Sequence, residues 1–224
     1  ELISWLDQNP DFSALQPKIL SWQDHKSFDY AGAGGGFAGG GGASTSVLVD
    51  ESTQTKYFIK SAYGASDMLT AEYYGVKAMS ETNTVRVPTP VAYGTHGTEQ
   101  AFVAFEYLHF CSGGSGRELG INLAKMHKHF SPNGKFGFDI DNTIGATYQP
   151  NGWHNEWPEF WDQHRLGHML KLTHDAGFDK GDINDLRVKT KELLSHRPDP
   201  SLLHGDLWGG NKGYAREKDG TTVP

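Results

Sequence analysis

Asp206 and Asn211 stand five residues apart in the segment LLHGDLWGGN, residues 202–211, and are of the types that phosphoryl transfer uses. That reaction needs a carboxylate to take the proton of the attacking hydroxyl and an amide oxygen turned towards a metal ion about one turn further on. A short rigid loop can supply both. The same residues also describe two successive turns, Gly205-Asp206 and Gly209-Gly210-Asn211, because Gly, Asp and Asn meet turn geometry unaided.

A loop of this kind works only if other elements bring it the phosphates. Its H-x-D-L-x-x-x-N spacing is that of the protein-kinase catalytic loop. Tyr57-Phe58-Ile59-Lys60 reads as a strand closing on a lysine, the pattern in which a kinase lysine pairs ATP phosphates. Ser66 is placed to cap a helix running to Met79, and Leu69, Glu72, Val76 and Met79 share its apolar face. A carboxylate on that face is costly to desolvate unless paired. Lys60, twelve residues earlier, is the expected partner of Glu72; the alternative is a helix rotated so that Glu72 reaches water. Gly32 to Gly42 follows a segment read as extended and precedes a strand at Ser44 to Val49. Backbone amides of Gly34, Gly35 and Gly36 could approach phosphates closely there, although so many glycines equally describe a flexible linker. Pro88 and Pro90 break the chain, and Ala101 to Tyr107 is an apolar strand of the kind buried on both faces.

Further on, Leu119, Leu123, Met126 and Phe130 predict a helix over 117–130. Residues 134–151 read as a long polar loop carrying Asp139 and Asp141. Trp157, Trp161, His164 and His168 predict one helix over 155–173. His164 and His168 could chelate a metal across a turn, but a packed aromatic stripe is the better reading of this face. A last polar helix spans 182–196, ended by Pro198 and Pro200.

The chain has 224 residues and a net charge of −7, with no Lys/Arg cluster, which excludes a nucleic-acid partner of ordinary electrostatics. No apolar run reaches membrane-spanning length, so no membrane partner is expected. Cys111 is the sole cysteine, which fits a reducing compartment such as the cytoplasm. The chain opens on Glu1 and closes on Pro224, so both ends read as cut and organellar targeting stays open.

Taken together, the residues resemble the fructosamine kinases, also called ketoamine or protein-ribulosamine 3-kinases. The likeness rests on Tyr57–Lys60, Ala71-Glu72, Leu123–His127, Gly137-Phe138, Asp141–Gly145, Arg165-Leu166-Gly167 and above all Leu203–Trp208 through Asn211. It implies an α+β, protein-kinase-like bilobal fold: an ATP-binding lobe with a small antiparallel sheet and hinge at 1–108, and a mainly helical, incomplete lobe at 109–224. It implies ATP-dependent phosphorylation of the sugar 3-hydroxyl of fructosamine or ribulosamine adducts, on glycated protein or as small ketoamines, with magnesium. Asp206 would be the base, Asn211 a magnesium ligand, Lys60 the phosphate anchor held by Glu72, and backbone groups of Glu106, Tyr107 and Leu108 the adenine hinge. Trp208 would wall the sugar, or else wedge the loop against its lobe. A homodimer is compatible with this resemblance. Aminoglycoside or choline kinases and a non-catalytic nucleotide-binding module are the alternative readings. The family's glycine-loop cysteine is missing here, and its second metal-binding aspartate is expected beyond Pro224.

Overall fold

The computed structural model describes the backbone of residues 19–24 and the full residues 43–50, 53–96, 100–178 and 183–224. The chain divides into two compact units, one of residues 1–123 with 204–224, the other of 124–203.

The first unit is built on a five-stranded antiparallel sheet. Its strands are β1 (Ile19–Asp24), β2 (Ser44–Asp50), β3 (Thr55–Tyr63), β4 (Pro90–His96) and β5 (Gln100–Glu106), in the order β1-β2-β3-β5-β4. β5 lies between β3 and β4, and Ala101 to Phe105 are all buried, as its unbroken apolar run requires. Alternation along β5 sends Ala101, Val103 and Phe105 to one face, where they form a core with Ala62 and with Leu69 of helix α1 (Ser66–Glu81). Burying each of the larger side chains contributes about 1.5–3 kcal/mol. Register decides where the lysine goes: Lys60 lies opposite Val103, with Phe58 opposite Phe105 and Ala62 opposite Ala101. Lys60 therefore shares the face that α1 covers.

Four local expectations are corrected. β3 does not close on Lys60 but continues to Tyr63. Ser66 is the first helical residue rather than the cap; Ala65 holds that place with no side-chain bond, its carbonyl accepting from the Leu69 N–H at 3.0 Å. The helix runs two residues past Met79 and stops where Thr82 turns back on the Met79 carbonyl and Asn83 adopts φ 51°. Helix α2 (Gly116–Met126) ends four residues short of Phe130. Lys128 and His129 there make tight bonds to Lys125 and Met126, and Phe130 is exposed and paired with Ser201 instead.

In the second unit the expected polar loop contains a hairpin, β6 (Asn142–Ile144) and β7 (Thr147–Gln149), turned at Gly145 with φ 58°. The single helix expected over 155–173 is three pieces: α3 (Trp157–Trp161), a π turn at Asp162–Leu166, and α4 (Gly167–Asp175). The π turn needs Gly167, since a Cβ there would lie 2.1 Å from the Asp162 carbonyl oxygen. It aims Arg165 at the Pro150 carbonyl (2.7 Å) and Asn151 Oδ1 (2.6 Å), with the guanidinium over the Phe160 ring. Buried Asn151 in turn donates from its N–H to Asp141 Oδ1 at 2.6 Å. Asp162, 4% exposed, is clamped by Arg187 and Lys191 of helix α5 (Ile183–Leu193) at 2.6 and 3.2 Å. The Arg187 hydrogen bond holds the Asp162 carboxyl below the usual carboxylate range. His164 and His168 form no chelate: His164 Nε2 meets His154 Nε2 at 2.8 Å, and His168 Nε2 meets the Tyr148 carbonyl. Burial lowers the His164 pKa.

Candidate active site

Lys60 Nζ donates to Glu72 Oε2 at 2.7 Å, with the two side chains 16% and 30% exposed. The pair exists because β3 presents Lys60 towards α1 and because Glu72 lies one turn from Leu69, which is anchored in the core. A primary ammonium has three donors, and one is spent here; the others can face an anion.

The second pair lies in the 204–211 loop. Asn211 Nδ2 donates to the Asp206 carbonyl at 2.8 Å and to Asp206 Oδ2 at 2.9 Å. Both partners are acceptors, which fixes the amide orientation and leaves the amide oxygen turned to other partners. The clamp holds one carboxylate oxygen and leaves Asp206 Oδ1 without a protein donor among the described residues. Gly205 adopts φ 82°, a conformation that glycine takes without strain, and Gly209–Asn211 closes the loop as a 3-10 turn. His204 Nδ1 accepts from the Asp206 N–H at 3.3 Å. That bond puts the ring proton on Nε2, in keeping with burial lowering the His204 pKa. Trp208 folds its ring over Gly210, where a Cβ would lie 2.4 Å from the indole, and stays 59% exposed. Trp208 therefore offers a flat apolar surface two residues from Asp206.

At the end of β5 the Glu106 N–H donates to the Thr89 carbonyl (2.8 Å) and the Tyr107 N–H to the Lys56 carbonyl (3.3 Å). Of the amides of residues 106–108, that of Leu108 alone has no partner among the described residues. The Glu106 side chain is occupied by Arg86, which sequence reasoning did not single out. Burial pushes the Glu106 carboxyl up, but hydrogen bonds from Arg86 and Thr89 outweigh it and hold the group below its ordinary range. Residues 109–111 are stitched to the chain that follows the 204–211 loop. Cys111 N–H donates to the Tyr214 carbonyl (2.9 Å), Arg216 N–H to the His109 carbonyl (2.8 Å), and Phe110 bridges Ala215. A Cβ on Gly114 would sit 1.7 Å from the Tyr214 ring, so glycine is required for this approach.

Both pairs, Lys60–Glu72 and Asp206–Asn211, thus belong to one compact unit with residues 106–108. Gly34, Gly35 and Gly36 lie outside the described residues. Strands β1 and β2 pair antiparallel. Magnesium binding by protein normally draws on one or two carboxylates beside substrate phosphates. Among the described residues no three His, Cys, Asp or Glu side chains converge on a metal position. Asp141 is hydrogen-bonded to Tyr148 and to the Asn151 N–H.

A family model described as fructosamine kinase matches residues 19–223. The chain is 41% identical over 162 residues to the "Probable ketoamine kinase" of Vibrio cholerae serotype O1, covering 70% of this chain and 55% of that protein. It is 38% identical over 182 residues to the chloroplastic protein-ribulosamine 3-kinase of Oryza sativa subsp. japonica, covering 77% and 52%. The chain thus spans about half the length of these curated relatives. A crystal structure from Haemophilus somnus 129PT, assigned by name to the fructosamine-3-kinases, superposes with TM-score 0.72 at 24% identity, over 91% of this chain and 64% of the other. This likeness shows the α+β, kinase-like fold.

Proposed function

The chain belongs to the fructosamine kinase family, and we propose from this premise that the full-length protein uses ATP to phosphorylate the sugar 3-hydroxyl of ketoamines. The observation that carries the reading is the Asp206–Asn211 clamp, which fixes a carboxylate with one oxygen left for a substrate hydroxyl. In the proposed reaction Asp206 accepts the proton of the 3-hydroxyl as its oxygen bonds to the γ-phosphorus, and the bond to ADP breaks. Lys60, oriented by Glu72, holds the ATP phosphates. The Leu108 amide and the Glu106 carbonyl bracket adenine, and Trp208 lies against the sugar. Magnesium, when bound, would neutralise phosphate charge, and Asn211 would be one of its ligands.

In this reading the nucleotide lobe ends at Leu108 and the acceptor lobe begins at residue 109. Glycated protein lysines and free ketoamines are the substrate class. The lone Cys111 supports a reducing, cytoplasmic location, with the protein acting singly or as a homodimer. No helix among the described residues is long and apolar enough to cross a membrane. The family assignment disfavours an aminoglycoside or choline acceptor. The test is to supply the full-length protein with ATP and fructosyl- or ribulosyl-lysine and follow ADP release and the 3-phosphate by mass. Transfer to the ketoamine is expected; ATP binding without transfer would leave a nucleotide-binding module, and transfer to choline or an aminoglycoside alone would overturn the acceptor.

A further inference from the structure

Arg86 ties together three segments that the sequence keeps far apart. Its Nη2 donates to Glu106 Oε1 at 2.5 Å and its Nη1 to Glu106 Oε2 at 3.0 Å, a two-pronged grip on the last residue of β5. Its Nε donates to Glu217 Oε1 at 2.6 Å, 131 residues away, and Nη1 also reaches the Val87 carbonyl at 2.7 Å. The Arg86 backbone N–H donates to the Pro224 carbonyl at 3.2 Å. Glu217 follows strand β8 (Ala215–Arg216), which pairs with β9 (Thr222–Val223), so Arg86 holds this hairpin both at its turn end and beyond its last strand. The hairpin starts four residues after Asn211. One side chain, 24% exposed, thereby fixes the exit of the 206–211 loop against the start of the hinge.

We propose that Arg86 is a positioning residue for phosphoryl transfer: it sets the register of the Asp206–Asn211 loop against the adenine hinge by bridging Glu217 and Glu106. This rests on the kinase reading above. The chemistry explains the residue type. A planar guanidinium can grip one carboxylate with two N–H groups while a third faces another, which the compact ammonium of lysine cannot do in the same geometry. The hinge fixes the nucleotide and the loop fixes the base, so an error between them misplaces the γ-phosphate relative to the hydroxyl. Lys60 and Asp206 could both be intact and the reaction still be slow.

The test uses the full-length protein as wild type, Arg86→Gln, Arg86→Lys and Glu217→Gln. Steady-state kinetics with ATP and fructosyl-lysine are combined with thermal melting and with hydrogen exchange of the amides at 206–216. Arg86→Gln is expected to lower kcat by about 10- to 100-fold, the scale of an ångström-sized misplacement. Arg86→Lys should recover part of this. Glu217→Gln frees only the hairpin arm, so it should lower kcat while the ATP KM stays within about twofold of wild type, a difference worth no more than about 0.4 kcal/mol. Exchange at Asn211 and Arg216 should quicken in both Arg86→Gln and Glu217→Gln at temperatures well below melting. The proposal is overturned if kcat per folded molecule is unchanged, if only the melting temperature falls, or if exchange is unaltered. Should Arg86→Gln fail to fold, Glu217→Gln decides alone. A wild type that transfers no phosphate to ketoamines refutes the kinase reading instead, and the exchange measurement, which needs no turnover, still judges the bridge.

Discussion

Replacing Glu72 by Gln keeps the shape of the side chain and a hydrogen-bond acceptor but removes the charge facing Lys60. The 2.7 Å contact lies between side chains 16% and 30% exposed, so solvent screens it only in part. A hydrogen bond between charged groups is worth about 1.5–3 kcal/mol, and with partial exposure and a remaining neutral acceptor the expected loss is about 1–2 kcal/mol. At 1.4 kcal/mol per factor of ten this means about 5- to 30-fold. Because Lys60 is assigned to phosphate, the loss should fall on the phosphate-bearing ligand. Calorimetric titration of the full-length Glu72→Gln protein should show ATP weakened by that factor and adenosine unaffected, with kcat/KM for ATP falling in parallel. ATP affinity equal to wild type would refute the role given to the pair. An equal loss for ATP and adenosine would show that the substitution damages the lobe rather than the lysine.

Arg187→Ala strips the bidentate partner from buried Asp162 and leaves it only Lys191; unfolding in denaturant should show a loss of about 3 kcal/mol. The Asp162 pKa is depressed in the fold, so its contribution is complete above the unfolded value of about 4 and disappears as pH falls through the lower folded value. Wild type should therefore shed this stability below about pH 4, and the acid limb of an Arg187→Ala stability profile should be shallower. Gly114→Ala places a methyl into the Tyr214 ring and should cost about 1–3 kcal/mol by the same assay, with much of the loss recovered in the Gly114→Ala/Tyr214→Ala double variant.

How far the sequence carried depended on the range of each signal. The run Ala101–Phe105 and the stripe Leu69–Glu72–Val76 are short-range patterns with the periods of a central strand and an amphipathic helix, and both elements formed where those patterns lie. Lys60–Glu72 was legible because a carboxylate on an apolar stripe demands a partner, and the strand before the helix offered one. The hairpin at 142–149 was not, because strands of three residues carry too few alternations to reveal a period. The π turn at 162–166 shifts the helical phase by a residue, so His164 and His168, which a continuous helix stacks on one face, find different partners. Arg86 escaped because its partners are Glu106 and Glu217, and no local pattern connects residues 131 positions apart. Within the 204–211 loop, residue types and spacing pointed to the Asp206–Asn211 pair, while the direction of the amide became visible only from its two acceptors.

The central claim, that Asp206 takes the proton in phosphate transfer to a ketoamine, is tested most directly by Asp206→Asn in the full-length protein. Single-turnover phosphorylation of fructosyl-lysine is followed beside ATP titration. The account predicts a transfer rate lower by about two to four orders of magnitude with ATP affinity within about twofold of wild type. A transfer rate equal to wild type would contradict it and move the base to another residue.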